Sequence, residues 1–295
     1  MLPQSLTDRL RYVEIFTTRT VRNHRAGDYR SRIRGRSFEF DEHKPYQPGD
    51  DTRQIDWNLT ARMHSPFVKR ELEEKELGAI IMVDLSRSML FSSLGRTKRD
   101  LAVETAAMLA FSAVADNMNV GLLAFTDRVE CYHPPKRGNR QAWRLIDDLY
   151  NRVPSRGQTS FGPALELLSA SLKHTALVFC LSDFIAAESF WNSRYLTGIL
   201  HRADFVPVIL EDAWEEALPQ TSGYIRFSDL EQDGSMVLRL TPAKNRQYER
   251  ILKERRDQIR ERIYRLGLEH VTLRTDDDSV TRLMTFLMSK KRRRR

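Results

Sequence analysis

Continuous apolar runs alternate with segments of helical spacing over residues 78–290. AIIMVDLS, TALVFCLSDF and ADFVPVILED are three such runs, and each ends in polar residues. Because a strand buried on both faces needs no polar alternation, these runs predict the central strands of a parallel sheet. The segments between them predict helices, including a long charged helix over residues 242–267. The sequence therefore predicts an α/β fold whose mostly parallel sheet carries helices on both faces.

A different pattern occupies residues 1–77. Arginines are frequent over residues 19–36, and the turn sequence Pro-Gly-Asp-Asp follows at residues 48–51. Proline and glycine interrupt any helix there, so short strands with long connections are predicted, for example in SPFVKRELE. We therefore predict an N-terminal β-rich module over residues 1–77, the α/β domain over residues 78–290 and a basic tail over residues 291–295.

Composition and charge are those of a globular protein with a basic end. Hydrophobic residues make up 41% and charged residues 30% of the 295 residues, which is typical of soluble domains. No apolar run approaches the ~20 residues that cross a bilayer, and the N-terminus lacks a signal-peptide pattern. We therefore expect a cytoplasmic protein with no membrane span. Cys131 and Cys180 form no CxxC pair, which argues against a cysteine-based zinc site.

Polar side chains follow the predicted strands at their carboxyl ends. Asp84, Ser86 and Ser88 follow the first strand, Asp183 follows a later one, and Thr159 lies in a loop before a helix. Ligands of such sheets bind at these ends, and hard oxygen ligands suit Mg²⁺ or Mn²⁺. The two carboxylates would balance the ion and leave a position for a partner's carboxylate. Alternatively, the serines cap a following helix and Asp84 caps a turn.

This constellation resembles the metal-ion-dependent adhesion site of von Willebrand factor A domains. That pattern is Asp-x-Ser-x-Ser, a distant Thr and a further Asp, and Asp84, Ser86, Ser88, Thr159 and Asp183 match it in order. The resemblance covers about residues 78–212 and implies a von Willebrand A-like fold. It also implies that the serines bind the metal directly, and that Thr159 and Asp183 bind it directly or through water.

The segment before the first strand, YQPGDDTRQIDWNLTARM, is similar to the family catalogued as domain of unknown function fifty-eight. Many members carry N-terminal membrane helices, which this sequence does not show. The family commonly travels with MoxR-type AAA+ ATPases. The resemblance implies a chaperone-like adaptor beside such an ATPase, and beside other von Willebrand A proteins, in the assembly or maturation of clients. The matching residues are Phe40, Tyr46, Pro48, Gly49, Asp50, Asp51, Arg53, Ile55, Asp56, Trp57, Ala61 and Arg62.

Five residues are candidates for partner binding: Arg53, Asp56, Trp57, Arg62 and Arg87. The charges around Trp57 either fix the N-terminal segment onto the α/β domain or form a recognition surface for the ATPase. Arg87, between the two serines, could steer an acidic partner.

Three function classes are compatible with these motifs. The chain contains neither GxxxxGK[ST] nor HExxH, so it lacks the signatures of a P-loop ATPase and of a zinc protease. A hydrolytic centre would also need a general base or a second metal. We therefore favour a non-enzymatic, metal-dependent adaptor. The alternatives are a nucleic-acid-associated protein that uses the basic tail and N-terminal arginines, and a metal-dependent hydrolase.

Overall fold

The computed structural model divides the chain into two compact units. Residues 27–76 form one unit and the rest of the chain forms the other. The arginine-rich stretch over residues 19–36 and the last three residues of the basic tail lie outside the described residues. The structure describes residues 11, 43–47, 52, 55–63, 65–69, 78–154, 157–172, 176–185, 187–216, 223–229 and 234–292.

The smaller unit contains a short antiparallel strand pair and one short helix. They are β1 (His43–Pro45), α1 (Trp57–Met63) and β2 (Phe67–Lys69), with β1 paired to β2. Asp56 begins the helix, because its Oδ1 accepts hydrogen bonds from the backbone nitrogens of Asn58 at 3.0 Å and Leu59 at 3.1 Å. This is the geometry of a helix N-cap.

A six-stranded sheet organises the larger unit. The strands of this unit are β3 (Gly78–Asp84), β4 (Asn119–Phe125), β5 (Val129–Lys136), β6 (Ala176–Ser182), β7 (Ala203–Glu211), β8 (Gly223–Asp229), β9 (Gly234–Leu240) and β10 (Val271–Arg274). The strand order in the sheet is β10-β7-β6-β3-β4-β5, and all neighbouring pairs are parallel except β4 and β5. Strands β8 and β9 form a separate antiparallel hairpin.

Helices cover both faces of this sheet, which confirms the predicted fold class. The helices are α2 (Lys98–Ala115), α3 (Asn139–Asn151), α4 (Gly162–Ser171), α5 (Glu188–Trp191), α6 (Arg194–Leu200), α7 (Pro242–Arg265) and α8 (Ser279–Arg292). On one face, Ile80 and Met82 of β3 join a cluster that includes Leu165 of α4 and Ile199 of α6. On the other face, α2 packs on β3, β4, β7 and β10, with α3 and α8 beside it.

The order of the strands places a crevice between β3 and β6. If the six strands of this sheet are numbered one to six in chain order and read from the β5 edge, their order is 3-2-1-4-5-6. The direction of winding therefore reverses between β3 and β6. Open α/β sheets bind ligands beyond the carboxyl ends of the strands at such a switch point. Asp84 and Ser182 are the last residues of these two strands, so both lie at the crevice.

Two short helices of the larger unit were not predicted from the periodicity of the sequence. The short helices α5 and α6 span four and seven residues, which is too short for a 3.6-residue pattern to emerge.

No helix among the described residues combines the length and the apolar character that a membrane crossing requires.

Candidate functional site

Asp84 is held by both strands that flank the crevice. Its side chain is fully buried. Its Oδ1 accepts a hydrogen bond from the Ser86 backbone nitrogen at 2.8 Å, and its Oδ2 accepts one from the Ser182 hydroxyl at 2.7 Å. Asp84 therefore caps the turn after β3, as one of the two sequence interpretations expects, and it also joins the end of β3 to the end of β6.

The two serines after Asp84 turn their hydroxyls towards each other. Ser86 occupies the N-cap of a 3₁₀ helix (Arg87–Leu90), but its side chain makes no capping hydrogen bond. Its Oγ lies 3.1 Å from the Oγ of Ser88. Octahedral Mg²⁺, with Mg–O distances of about 2.1 Å, sets adjacent ligand oxygens about 3.0 Å apart. The spacing of the two hydroxyls therefore fits neighbouring positions on one ion.

Asp183 lies directly after β6, in a backbone turn of unusual shape. Its Oδ1 accepts a hydrogen bond from the Ile185 nitrogen at 3.0 Å, and the Ser88 hydroxyl also hydrogen-bonds to this carboxylate. The next residue, Phe184, has a φ of 54°, a left-handed conformation that costs a bulky residue about 1–3 kcal/mol. Its buried ring stacks on Phe161 at 5.7 Å between centroids, so aromatic packing holds the turn that positions Asp183.

Lys98 is a central residue of the site that the sequence did not reveal. Its side chain is fully buried at the first position of α2. Its Nζ donates to Asp183 Oδ2 at 2.8 Å and to Glu215 Oε1 at 2.6 Å. Burial acts against the ammonium, but these two carboxylates outweigh it and raise the pKa of Lys98 above its usual value. Lys98 is therefore a permanent positive charge inside the crevice.

The two aspartates experience opposite electrostatic environments. Burial, and secondly the negative charge of Asp183, raise the pKa of Asp84 to about 6, although hydrogen bonds from Ser182 and Ser86 oppose the shift. Burial also acts to raise the pKa of Asp183, but Lys98 outweighs it and the pKa falls below its usual value. When Asp84, Asp183, Glu215 and Lys98 are all ionised, their formal charge is −2. A divalent cation would neutralise this group.

The loop that carries Thr159 is tied to the same edge of the sheet. The Arg87 nitrogen donates to the Gly157 carbonyl at 2.9 Å, and the Ser160 nitrogen donates to the Thr126 carbonyl at 3.0 Å. Thr159 therefore lies between two links to the loops that follow β3 and β4. The side chain of the exposed Arg87 packs over Gly157, where an added Cβ would collide with Arg87 Cδ. Only glycine at position 157 therefore leaves space for the Arg87 side chain.

Three of the four candidates in the smaller unit lie among the described residues. Arg53 lies outside the described residues. The Asp56 carboxylate caps α1, Arg62 is exposed in the last turn of that helix, and Trp57 is 70% exposed at its start. The predicted charge network around Trp57 therefore stays a prediction.

Comparison with known sequences identifies relatives without an assigned activity. The profile of the family described as "Protein of unknown function DUF58" matches residues 42–258. "Uncharacterized protein Mb1516" of Mycobacterium bovis is 26% identical over 268 residues, which cover 90% of this chain and 84% of that relative.

Solved structures of similar chains include one von Willebrand A protein and one membrane protein. BatB from Bacteroides thetaiotaomicron is 15% identical, with 74% of this chain and 99% of that chain covered and a TM-score of 0.45. An aerotolerance-related membrane protein from Bacteroides fragilis is 14% identical, with coverages of 72% and 97% and a TM-score of 0.44. A von Willebrand factor type A protein from Catenulispora acidiphila is 11% identical, with coverages of 76% and 43% and a TM-score of 0.41.

The expected cytoplasmic location is contradicted by these neighbours, which include a membrane protein. The inference rested on the lack of an apolar run of spanning length. Such a lack excludes a helical span only in the segments considered, and it does not determine the compartment of the protein.

Proposed function

The chain belongs to the DUF58 family of proteins of unknown function, whose profile covers most of its length, and we propose that it is a non-enzymatic interaction adaptor that holds a partner through a divalent cation. Asp84, Ser86, Ser88, Thr159 and Asp183 hold the cation, which is Mg²⁺ or Mn²⁺. An Asp or Glu of the partner binds the open coordination position. The partners are a MoxR-type AAA+ ATPase and other von Willebrand A proteins, in the assembly or maturation of clients.

The observation that carries this proposal is the uncompensated charge of the crevice. Lys98 is paired with Asp183 and Glu215 and neutralises one of these two negative charges. Together with Asp84, the ionised group therefore retains a formal charge of −2. The Asp84 carboxylate accepts only neutral donors, and its raised pKa reports the cost of ionising it there. A divalent ion relieves this cost and is coordinated by oxygen ligands alone, which Mg²⁺ prefers.

Each side chain of the site has a different role in binding the cation. Ser86 and Ser88 offer hydroxyls at the spacing of adjacent ligands. Asp84 supplies negative charge from the end of β3. One Asp183 oxygen accepts a hydrogen bond from the Ile185 nitrogen and the other accepts one from Lys98. Asp183 therefore binds the ion through a remaining lone pair or through a water molecule. The bound ion supplies positive charge to the partner's carboxylate.

We assign no reaction to this site. Activation of water needs a base that can accept a proton near neutral pH. Lys98 stays protonated there, because Asp183 and Glu215 raise its pKa. The pKa of Asp183 is held low by Lys98. The pKa of Asp84 is raised to about 6, but its side chain is fully buried and both of its oxygens accept hydrogen bonds, so we assign Asp84 to the cation and not to proton transfer.

The ion is tested by titration calorimetry of the purified full-length chain with MgCl₂. Asp84→Asn and Ser88→Ala are each expected to weaken Mg²⁺ binding by more than about 10-fold, since each removes a ligand. Asp257→Asn is the control, because Asp257 is an exposed carboxylate on α7. If Asp84→Asn binds Mg²⁺ as tightly as the control, the cation site is wrong.

The partner is tested by affinity capture of a purified MoxR-type ATPase in Mg²⁺ and in EDTA. We expect capture in Mg²⁺ and its loss in EDTA or with Asp84→Asn. Equal capture in both buffers would reject the metal-bridged contact, and no capture in either would reject this partner.

A further inference from the structure

A second group of metal-ligating side chains lies at the antiparallel edge of the sheet. Cys131 and His133 are alternate residues of β5 and pair with Ala124 and Leu122 of β4. Their side chains therefore share one face of the sheet. Asp148 of α3, the helix packed beside α2, completes the group. The Cys131 sulfur, a His133 ring nitrogen and an Asp148 oxygen all lie within 4.8 Å of one another.

We propose that Cys131, His133 and Asp148 bind a Zn²⁺ ion with three protein ligands and an open fourth position. Thiolate, imidazole and carboxylate are the three side-chain ligands that Zn²⁺ takes in proteins. The mixture of sulfur, nitrogen and oxygen disfavours Mg²⁺, which requires oxygen ligands. This site is independent of the proposed function, because it shares no residue with the crevice at Asp84.

The ligand atoms must move closer together to bind one zinc ion. Zinc distances of about 2.0–2.3 Å place tetrahedral ligands about 3.3–3.6 Å apart. The three atoms are within 4.8 Å of one another. Pairing with β4 holds β5, and buried side chains hold α3. His133 Nε2 now contacts Asp148 Oδ2 at 2.5 Å, a hydrogen bond that the ion would replace. These two side chains are 20% and 27% exposed, so an ion has access from solvent.

Arg152 supplies the outer support that zinc ligands commonly have. It lies one helical turn after Asp148 on α3 and donates to the Asp148 carboxylate. An arginine in this position orients the ligand and keeps it ionised. Burial acts to raise the pKa of Asp148, but the hydrogen bonds from His133 and Arg152 outweigh it and lower that pKa.

The thiol of Cys131 provides a specific signal for the ion. Burial, and secondly the charge of Asp148, raise the pKa of Cys131. Metal coordination requires the thiolate. Co²⁺, a spectroscopic substitute for Zn²⁺, therefore gives a sulfur-to-cobalt charge-transfer band only when Cys131 coordinates it.

The experiment is a Co²⁺ titration of the full-length protein in excess Mg²⁺, followed by displacement with Zn²⁺. We expect one equivalent of Co²⁺ to give the charge-transfer band together with the intense visible bands of tetrahedral cobalt, and Zn²⁺ to abolish both. Cys131→Ser should remove the charge-transfer band. His133→Gln and Asp148→Asn should weaken binding by more than about 100-fold, since even outer-shell partners contribute about 10- to 100-fold.

Asp147→Asn is the matched control, because Asp147 is the exposed neighbour of Asp148 on the same helix. It should bind Co²⁺ like the wild type. Circular dichroism of each variant establishes that it is folded, and the near-isosteric Cys131→Ser keeps the test valid if Asp148→Asn unfolds. Absence of the charge-transfer band in the wild type, or its persistence in Cys131→Ser, would overturn the site. Asp84→Asn should leave the Co²⁺ spectrum unchanged. A failure of the zinc site can therefore be told apart from a failure of the proposed Mg²⁺ site.

Discussion

At the scale of single residues, the ammonium of Lys98 determines how the acids of the crevice behave. It is fully buried and bridges Asp183 and Glu215. Removing one member of a buried ion pair leaves an unpaired charge in a poorly solvating environment, which is far more costly than losing an exposed pair. The stability of the loops after β6 and β7 therefore depends on one side chain from α2.

Lys98→Met should lower the free energy of unfolding by about 3–5 kcal/mol at neutral pH, because Asp183 stays buried without its counter-ion. Urea unfolding followed by circular dichroism measures the change. Arg250→Met is the comparison, since it breaks the exposed pair between Arg250 and Glu254 and should cost at most about 0.5 kcal/mol. A loss below about 1 kcal/mol for Lys98→Met would mean that Asp183 is stabilised by other groups.

Asp84 makes the stability of the metal-free protein depend on pH. Its pKa is 3.8 in the unfolded chain and about 6 in the folded protein. Between these values the folded protein holds a proton that the unfolded chain releases, so the free energy of unfolding falls as the pH rises through this window. The shift corresponds to about 3 kcal/mol, at about 1.4 kcal/mol per pH unit.

Asp84→Asn isolates this effect, because the amide does not ionise. Relative to this variant, the wild type in EDTA should lose about 2.4 kcal/mol of unfolding free energy between about pH 4 and about pH 7.5, since a small part of the effect already falls below pH 4. Urea unfolding at both pH values gives the comparison. If the difference between wild type and variant is the same at both, Asp84 does not titrate in this window.

At the scale of elements, the start of α2 fixes Lys98 in place. Thr97 is the N-cap residue, its hydroxyl accepts from the Asp100 nitrogen at 3.0 Å, and Asp100 Oδ2 accepts from the Thr97 nitrogen at 2.9 Å. This reciprocal capping box satisfies two backbone donors at the helix start. Since Lys98 follows Thr97 directly, the cap also sets the position of the ammonium.

Thr97→Ala should cost about 1 kcal/mol of unfolding free energy, the usual effect of losing an N-cap hydroxyl. Thr97→Ser keeps the hydroxyl and should retain most of the stability. Thermal and urea unfolding of both variants test this expectation. Equal destabilisation by the two substitutions would indicate that the methyl group of Thr97, rather than its cap, matters.

The sequence predicted the elements whose signal is local and missed those whose signal is not. The apolar runs that became β3 and β6 can be recognised because strands buried on both faces need continuous hydrophobicity. The polar residues at their ends followed from the same pattern. Lys98 carries no local signal, since its acidic partners lie 85 and 117 residues further along the chain. Only the folded sheet brings them together.

The same distinction applies to the edge strand β5. Cys131 and His133 alternate on that strand, but no CxxC or HExxH spacing marks them, and Asp148 comes from a helix. A search for cysteine pairs therefore passes over this cluster. The register of β5 against β4 and the packing of α3 are what assemble the three ligand types.

At the scale of the whole molecule, one sheet carries two candidate cation sites of different chemistry. The crevice after β3 offers oxygen ligands, and the edge at β5 offers sulfur, nitrogen and oxygen. The two strands are separated by β4, so the sites lie on strands about 10 Å apart laterally. Because the ligand sets differ, Mg²⁺ and Zn²⁺ should act separately on the stability of the protein.

A cation that binds only the folded protein raises its stability by mass action, by about 2.7 kcal/mol at 100 times its dissociation constant. For a domain of this size, that corresponds to a rise in Tm of roughly 5–10 °C. Differential scanning fluorimetry should show one such rise with Mg²⁺ and a further one with Zn²⁺ in the presence of Mg²⁺. Asp84→Asn should lose only the Mg²⁺ response, and Cys131→Ser should lose only the Zn²⁺ response. Retention of the Mg²⁺ response in Asp84→Asn would refute the crevice site. Retention of the Zn²⁺ response in Cys131→Ser would refute the edge site, so the two sites are tested independently of each other.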